Sequence, residues 1–168
     1  MDIQNKQIWQ QASGNTNRDY SELCLKRGVI LNGPGYAGKW PECQMLLQAD
    51  KWSARKIADL RRFCEGMNIG DVVVLRRGTN SLLAVGEIVG EYEWREEFRD
   101  VEGWDLQHCR RVRWLWIPNG EPLSFNTNVF TLGDTTYPLD SPIVEAWLRN
   151  LVVPDEAFHA PIPEVPQT

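Results

Sequence analysis

Histidine and metal-binding cysteine spacing are what this 168-residue sequence has least of. Only His108 and His159 occur, and the four cysteines, Cys24, Cys43, Cys64 and Cys109, stand 19, 21 and 45 residues apart. No C-x-x-C pair forms, and neither histidine completes ligand spacing with a cysteine, which argues against a zinc site. Cysteines spaced like this read as small buried hydrophobes rather than as a disulfide framework. The sequence also lacks G-x-S-x-G, a complete P-loop and H-E-x-x-H. Nucleophilic, phosphate-cleaving and zinc-protease chemistry therefore have no motif to rest on, and neither enzyme activity nor a cofactor is expected. No apolar run approaches the ~18 residues of a membrane span. The opening residues Met1, Asp2, Gln4, Asn5 and Lys6 lack the basic start and apolar middle of a signal peptide, so a cytoplasmic protein with no membrane partner is expected.

What is present is a chain that is 42% hydrophobic and 24% charged, enough for one domain with a substantial core. Its net charge of −5 is unevenly spread. Residues 1–118 hold 17 of the 18 bases and 16 of the 23 acids, whereas residues 119–168 hold Arg149 alone against seven acids. The acidity thus belongs to the last third, and the segment from Arg18 to Arg62 is basic, with nine bases against five acids. An anionic partner is compatible with that distribution.

Apolar periodicity predicts the elements. A strand over 7–13 runs into the turn Gly14-Asn15-Thr16-Asn17, and a short helix with Leu23 and Cys24 on its apolar side stops at Gly28. Val29-Ile30-Leu31 reads as a buried strand. The segment 32–41, with three glycines and two prolines, must be an open loop. Ile57, Leu60, Phe63 and Cys64 mark an amphipathic helix over 53–64 with a basic exposed side. A hairpin follows, 71–75 and 82–89 about a turn at 76–80, then a strand carrying Val112, Trp114 and Trp116. Ser141-Pro142 starts a closing helix over 141–151, and the prolines at 161, 163 and 166 suggest a mobile tail or linker over 154–168. The order implies a mixed α+β domain around a curved sheet or small open β-barrel flanked by helices.

The eight tryptophans divide by position. Trp9, Trp114, Trp116 and Trp147 fall on apolar faces and read as core. Trp40, Trp52, Trp94 and Trp104 sit near loops or element ends, where an exposed ring often serves to stack on a ligand. The bases have a bland reading as solvated faces. Beside loop aromatics, however, Lys39, Lys51, Arg55, Lys56, Arg76 and Arg77 suit a phosphate backbone whose bases stack on tryptophan.

Particular residues also resemble a known family. The Ile8-Trp9 strand, the Ser13-Gly14-Asn15 turn, Cys24-Leu25, Gly28-Val29-Ile30 and the Gly-rich loop with Trp40 occur in the order of the PUA-like superfamily, its EVE and YTH branch in particular. Gly70-Asp71-Val72, Ala84-Val85-Gly86-Glu87 and Asp105-Leu106-Gln107-His108-Cys109 continue the likeness, which covers residues 7–150. It implies a modified-base-binding domain over 1–153 that flips the base into an aromatic cage. The cage positions match Trp94 and Trp40, with Tyr36 and Trp104 as further candidates, and Ser13, Asn15 and Asn32 would read the base edge. Domains of this kind front McrB-type modification-dependent restriction proteins. The expected partner is therefore DNA carrying N6-methyladenine or a 5-modified cytosine, with a motor or nuclease domain alongside and a role in antiviral defence. Binding of RNA or of a modified ribonucleotide is the alternative, and a protein-interaction domain is the second alternative.

Overall fold

The structure, a computed structural model, describes residues 1–163. Pro166, in the expected tail, lies outside the described residues. The chain opens with β1 (Ile8–Ala12), α1 (Ser21–Arg27) and β2 (Val29–Asn32), followed by α2 (Gln44–Ala49) and α3 (Ala54–Arg61). After α3 one π-helical turn, Arg62–Gly66, leads to the hairpin of β3 (Val72–Arg77) and β4 (Ser81–Ile88). Next come β5 (Glu93–Trp94), the long β6 (His108–Trp116), β7 (Leu123–Ser124), β8 (Thr136–Pro138) and α4 (Pro142–Asn150).

Eight strands form one sheet in the order β2-β6-β4-β3-β1-β8, with β5 added to β6 and β7 to β4. Only the β1–β3 pair among these is parallel. The pairing of β4 with β6 slips one position between Val85 and Gly86, and that of β3 with β4 slips between Leu75 and Arg76. Such irregularities bend strands, and here the sheet curls into a half-barrel. The fold is α+β, a curved sheet flanked by helices, as the order of the elements implies.

The sheet is buried on both faces, which explains the unbroken Val72-Val73-Val74-Leu75 run of β3. Val73 and Leu75 join a first core with Tyr20, Cys24, Ile57, Leu60 and Phe63, from α1, α3 and the π-helical turn. Val72 and Val74 face the other way, into a second core with Val144 and Leu148 of α4 and with Phe130. Local signals fix the helix ends. Gly28 ends α1 at φ +64°, the Ser53 side chain accepts from the Lys56 N–H at 3.1 Å to start α3, and Ser141 does the same for α4 toward Val144 at 3.3 Å.

All four cysteines are free and buried, and burial pushes their thiols up, Cys109 to about 12. Beyond Pro154 the chain forms a short 3-10 turn, Asp155–His159, and returns to β6, where Arg113 Nε donates to Ala160 O at 3.1 Å and Arg111 to Pro163 O.

Candidate functional site

The curl of the sheet brings its two edge strands together, so that the C-terminal ends of β1 and β2 lie beside the start of β8, and the loops after β1 and β2 meet the 103–106 segment that precedes β6. Between them lies a cavity of about 380 Å³ open to the surface. That volume falls within the ~300–1,000 Å³ usual for small-ligand pockets.

The loop after β2 forms one side. It runs against 104–106 so closely that a Cβ on Gly33 would collide with Asp105 O, and one on Gly35 with the Gln107 side chain. These two positions therefore require glycine. Asp105 clamps the loop: its Oδ2 accepts from the N–H of Gly35 at 3.1 Å and of Tyr36 at 2.8 Å. Behind the loop, buried His108 donates from Nε2 to Pro34 O at 3.0 Å and accepts at Nδ1 from the Tyr92 hydroxyl at 2.7 Å. Desolvation holds this imidazole down at about 4, so it is neutral at pH 7 and the tautomer follows from the network. The Tyr92 oxygen in turn accepts from the Trp40 N–H at 3.1 Å.

Four aromatic side chains line the cavity: Tyr20, Tyr36, Trp52 and Trp104. Trp52 follows Lys51, whose φ of +64° turns the chain out of α2, and the Trp52 indole donates to the Tyr36 hydroxyl at 2.9 Å. Tyr36 donates onward to Asp50 at 2.5 Å, so the two exposed rings are held together. Trp104 is held from outside by Arg18, whose guanidinium lies 4.3 Å from the ring centroid and which is not itself a lining residue. Among the described residues the indole N–H of Trp104 is buried without a partner.

Beneath the rings lies a buried polar network. Asp59, 1% exposed, accepts from Asn32 Nδ2 at 3.1 Å, Lys56 Nζ at 3.1 Å and the N–H of Thr135 and Thr136, each at 2.9 Å. Asn32 also donates to Thr136 Oγ1, and its own oxygen accepts from the Gly33 N–H and from Lys56 Nζ, both at 2.8 Å. Every hydrogen-bonding position of Asn32 is thereby used. Thr136 continues the chain to Gln11, which donates to Leu31 O. The network ties α3, β2, β1 and β8 into one rigid floor.

Of the residues singled out from sequence, Tyr36, Trp104, Asn15, Asn32 and Lys56 meet at this cavity. The others lie elsewhere. Trp40 is 7% exposed in the first core, and Trp94 sits behind the loop with its indole donating to Gly35 O at 2.8 Å. Ser13 is buried and gives its carbonyl to the Tyr20 N–H. Arg55 is paired twice with Asp134, Arg76 is buried on Asp134 O and Gly78 O, and Arg77 pairs with Asp19. Lys39 and Lys51 are exposed, away from the cavity lining. Sequence reasoning counted Trp52 among the loop rings suited to stacking without assigning it to the cage, and gave Tyr20, Asp105 and Thr135 no role in the site. For Trp52 the signal is its place near an element end; the other three carry none.

A family model described as a domain of unknown function, DUF8426, matches residues 9–140, which include every residue named as lining the cavity. The chain belongs to that family. No curated protein matches it. Among solved structures, this DUF8426 domain is similar to the YTH domain of the Zygosaccharomyces rouxii MRB1 protein, crystallised in complex with N6-methyladenosine RNA. The TM-score is 0.49 and the identity 12%, over 87% of this chain and 84% of that one.

Proposed function

We propose that this domain is a non-catalytic nucleic-acid reader that takes one modified base out of its strand and holds it in the cavity, with DNA as its target. The observation that carries this reading is the cavity itself: Trp52, Tyr36, Trp104 and Tyr20 around a base-sized space, above polar groups that still have bonding capacity. Flipping a base costs a few kcal/mol in stacking and pairing. Stacking on aromatic rings returns about 1–3 kcal/mol per base, and hydrogen bonds to the base edge offset the remainder. A buried methyl adds about 0.8 kcal/mol, so preference for a modified base comes from the fit of the pocket as well as from its burial. The resemblance of the Ile8-Trp9, Ser13-Gly14-Asn15 and Gly28-Val29-Ile30 segments to EVE-type domains extends the proposal to a specificity module of a modification-dependent restriction system, acting with a motor or nuclease domain.

The test is an anisotropy titration of short duplexes with and without one modified base, run beside matched RNA strands. The expected result is at least tenfold preference for a modified DNA duplex, lost in Trp104→Ala while weak, salt-sensitive binding persists. Preference for the RNA strand moves the target to RNA. Absence of binding to any strand at low salt rejects the reading and leaves a protein-interaction surface.

A further inference from the structure

Within that base-pocket reading, on which this inference rests, we propose that Arg55 and Arg62, gathered on Asp134 beside the cavity, form a binding site for a backbone phosphate that adjoins the flipped nucleotide. The ligand class is a phosphodiester, so this site fixes the strand and does not read the base.

The argument starts from the geometry around Asp134, which is 7% exposed and draws arginines from α3, the π-helical turn and β3. Arg55 donates to its carboxylate from Nε and Nη2, each at 3.1 Å, and from Nη2 to Leu132 O at 3.3 Å. Arg62 Nη2 lies 3.4 Å from Asp134 Oδ1, the same oxygen that Arg55 Nε meets, so the two guanidinium groups stand side by side. Arg62 is held further by its Nε, which donates to Thr136 O at 2.8 Å, and by the Tyr137 ring at 5.0 Å. Arg76, buried at 5% exposure, joins the group with Nη2 on Asp134 O at 3.0 Å. A Cβ on Gly133, whose φ is +105°, would come within 2.2 Å of Arg55 Nη2, so this glycine is what lets Arg55 lie against the loop. The cluster adjoins the cavity through two lining residues: Thr135 follows Asp134 in the chain, and Lys56 follows Arg55.

The charges do not balance there. Three arginines meet one carboxylate, while Lys56 and Asp59 pair with each other. At Glu97, which also meets two arginines, Arg27 and Arg95, a second acid is supplied by Glu93 on Arg95. No second acid pairs with Arg55, Arg62 or Arg76 among the described residues. Folding does not require Arg55 to neutralise Asp134, because Arg62 and Arg76 already do so, and the Arg55 side chain stays 61% exposed. Nη1 of both Arg55 and Arg62 makes no hydrogen bond among the described residues, and the Arg62 side chain keeps 23% of its surface open. Paired guanidinium forks match the oxygens of a phosphate, and holding them on a buried acid lowers the entropy lost on binding it. The cleft that shares Tyr20 with the cavity has the reverse character: Asp19, Glu22, Glu97, Asp100 and Glu102 line it against Lys26 and Arg27, which turns a phosphate away. The strand therefore leaves the cavity over α3 and the 132–137 segment.

The experiment is an anisotropy titration, at several salt concentrations, of short single DNA strands with one central N6-methyladenine or 5-methylcytosine and of their unmodified counterparts. It is run with the wild-type chain, Arg55→Gln and Arg55→Lys, each checked for folding by urea midpoint. Arg55→Gln should weaken modified and plain strands alike, about tenfold for one lost charge-assisted contact. It should also flatten the dependence of log affinity on log salt by about 0.7, the share of one single-strand phosphate. Arg55→Lys should keep the wild-type slope. A second arm leaves the protein untouched: one uncharged methylphosphonate linkage, placed on either side of the modified nucleotide, should weaken wild-type binding at one of the two positions. At that position it should add nothing to Arg55→Gln, since both remove the same contact. A salt slope unchanged in a folded Arg55→Gln, or methylphosphonate losses that add to the variant's at both positions, overturns the phosphate site while leaving the base pocket standing. Equal wild-type affinity for modified and plain strands, with the slope still lowered in Arg55→Gln, leaves the phosphate site and removes the modified-base pocket. Failure of every strand to bind the wild type at low salt rejects both.

Discussion

The two faces of the sheet use aromatic residues in opposite ways. In the second core, Trp116 meets Trp147 edge-on at 5.1 Å, and Phe125 meets both Trp147 and Phe130 at 6.2 and 6.3 Å. Each ring fills the space that its neighbour leaves. Around the cavity, Tyr20, Tyr36, Trp52 and Trp104 make no ring pair with one another among the described residues. They surround a hollow, and hydrogen bonds and a cation hold them: Tyr36 and Trp52 through Asp50, Trp104 under Arg18. Mutual packing stabilises the fold, whereas rings fixed at the edge of an empty space contribute less to stability and leave their faces available to a ligand.

The sharpest way to break this contrast is to truncate one ring from each group. Trp147→Ala removes the ring that Trp116 and Phe125 pack against and leaves a hole beside α4. A loss of about 3 kcal/mol in urea unfolding is expected, from the cost of cavity creation by large-to-small changes. Binding by the folded fraction should be unaffected. A stable Trp147→Ala variant would mean that the second group is not a packed unit.

A smaller effect concerns the wall behind the cavity. His108 is held neutral by burial, at about 4 against an ordinary 6.5. The unfolded chain takes up a proton below pH 6.5 that the folded chain refuses. The stability from this residue is therefore fully present above that pH and fades as pH falls toward 4. Between pH 7 and pH 5 the wild type should lose about 2 kcal/mol more than His108→Gln, read from urea midpoints at the two values. Equal losses would show that His108 does not anchor the Pro34 loop in the way its two hydrogen bonds indicate.

The two faces also differ in how much the sequence discloses. β3 reads as a doubly buried strand because four consecutive apolar residues leave no polar face, and the ends of α1 and α4 are written in Gly28 and Ser141-Pro142. The α2 helix escapes such reading because Met45 and Leu46 are exposed, so its apolar residues do not mark a buried side. Tyr36 and Trp104 are legible as loop aromatics, and Asn15 as a turn polar group. Trp40 has the same Gly/Pro surroundings yet turns inward, its N–H tied to Tyr92 and its ring in the first core. Asp105 and Thr135 reach the site only because distant segments come together, the first beside Gly33 and the second above Asp59. Local patterns record burial and turns; they carry no trace of which loops will meet.

Trp52→Ala sharpens the comparison from the cavity side. The ring is 40% exposed, and its one recorded hydrogen bond, to the Tyr36 hydroxyl, leaves that hydroxyl its second partner Asp50 when the indole is removed. Stability should fall by no more than about 0.5 kcal/mol, as for a surface substitution that strands no buried group. If the ring stacks on a flipped base, affinity for the preferred modified strand should fall about tenfold, which corresponds to about 1.4 kcal/mol. A ring that serves only the fold predicts the reverse, a lower urea midpoint with affinity unchanged. The same substitution thus distinguishes a wall built for a ligand from one built for packing.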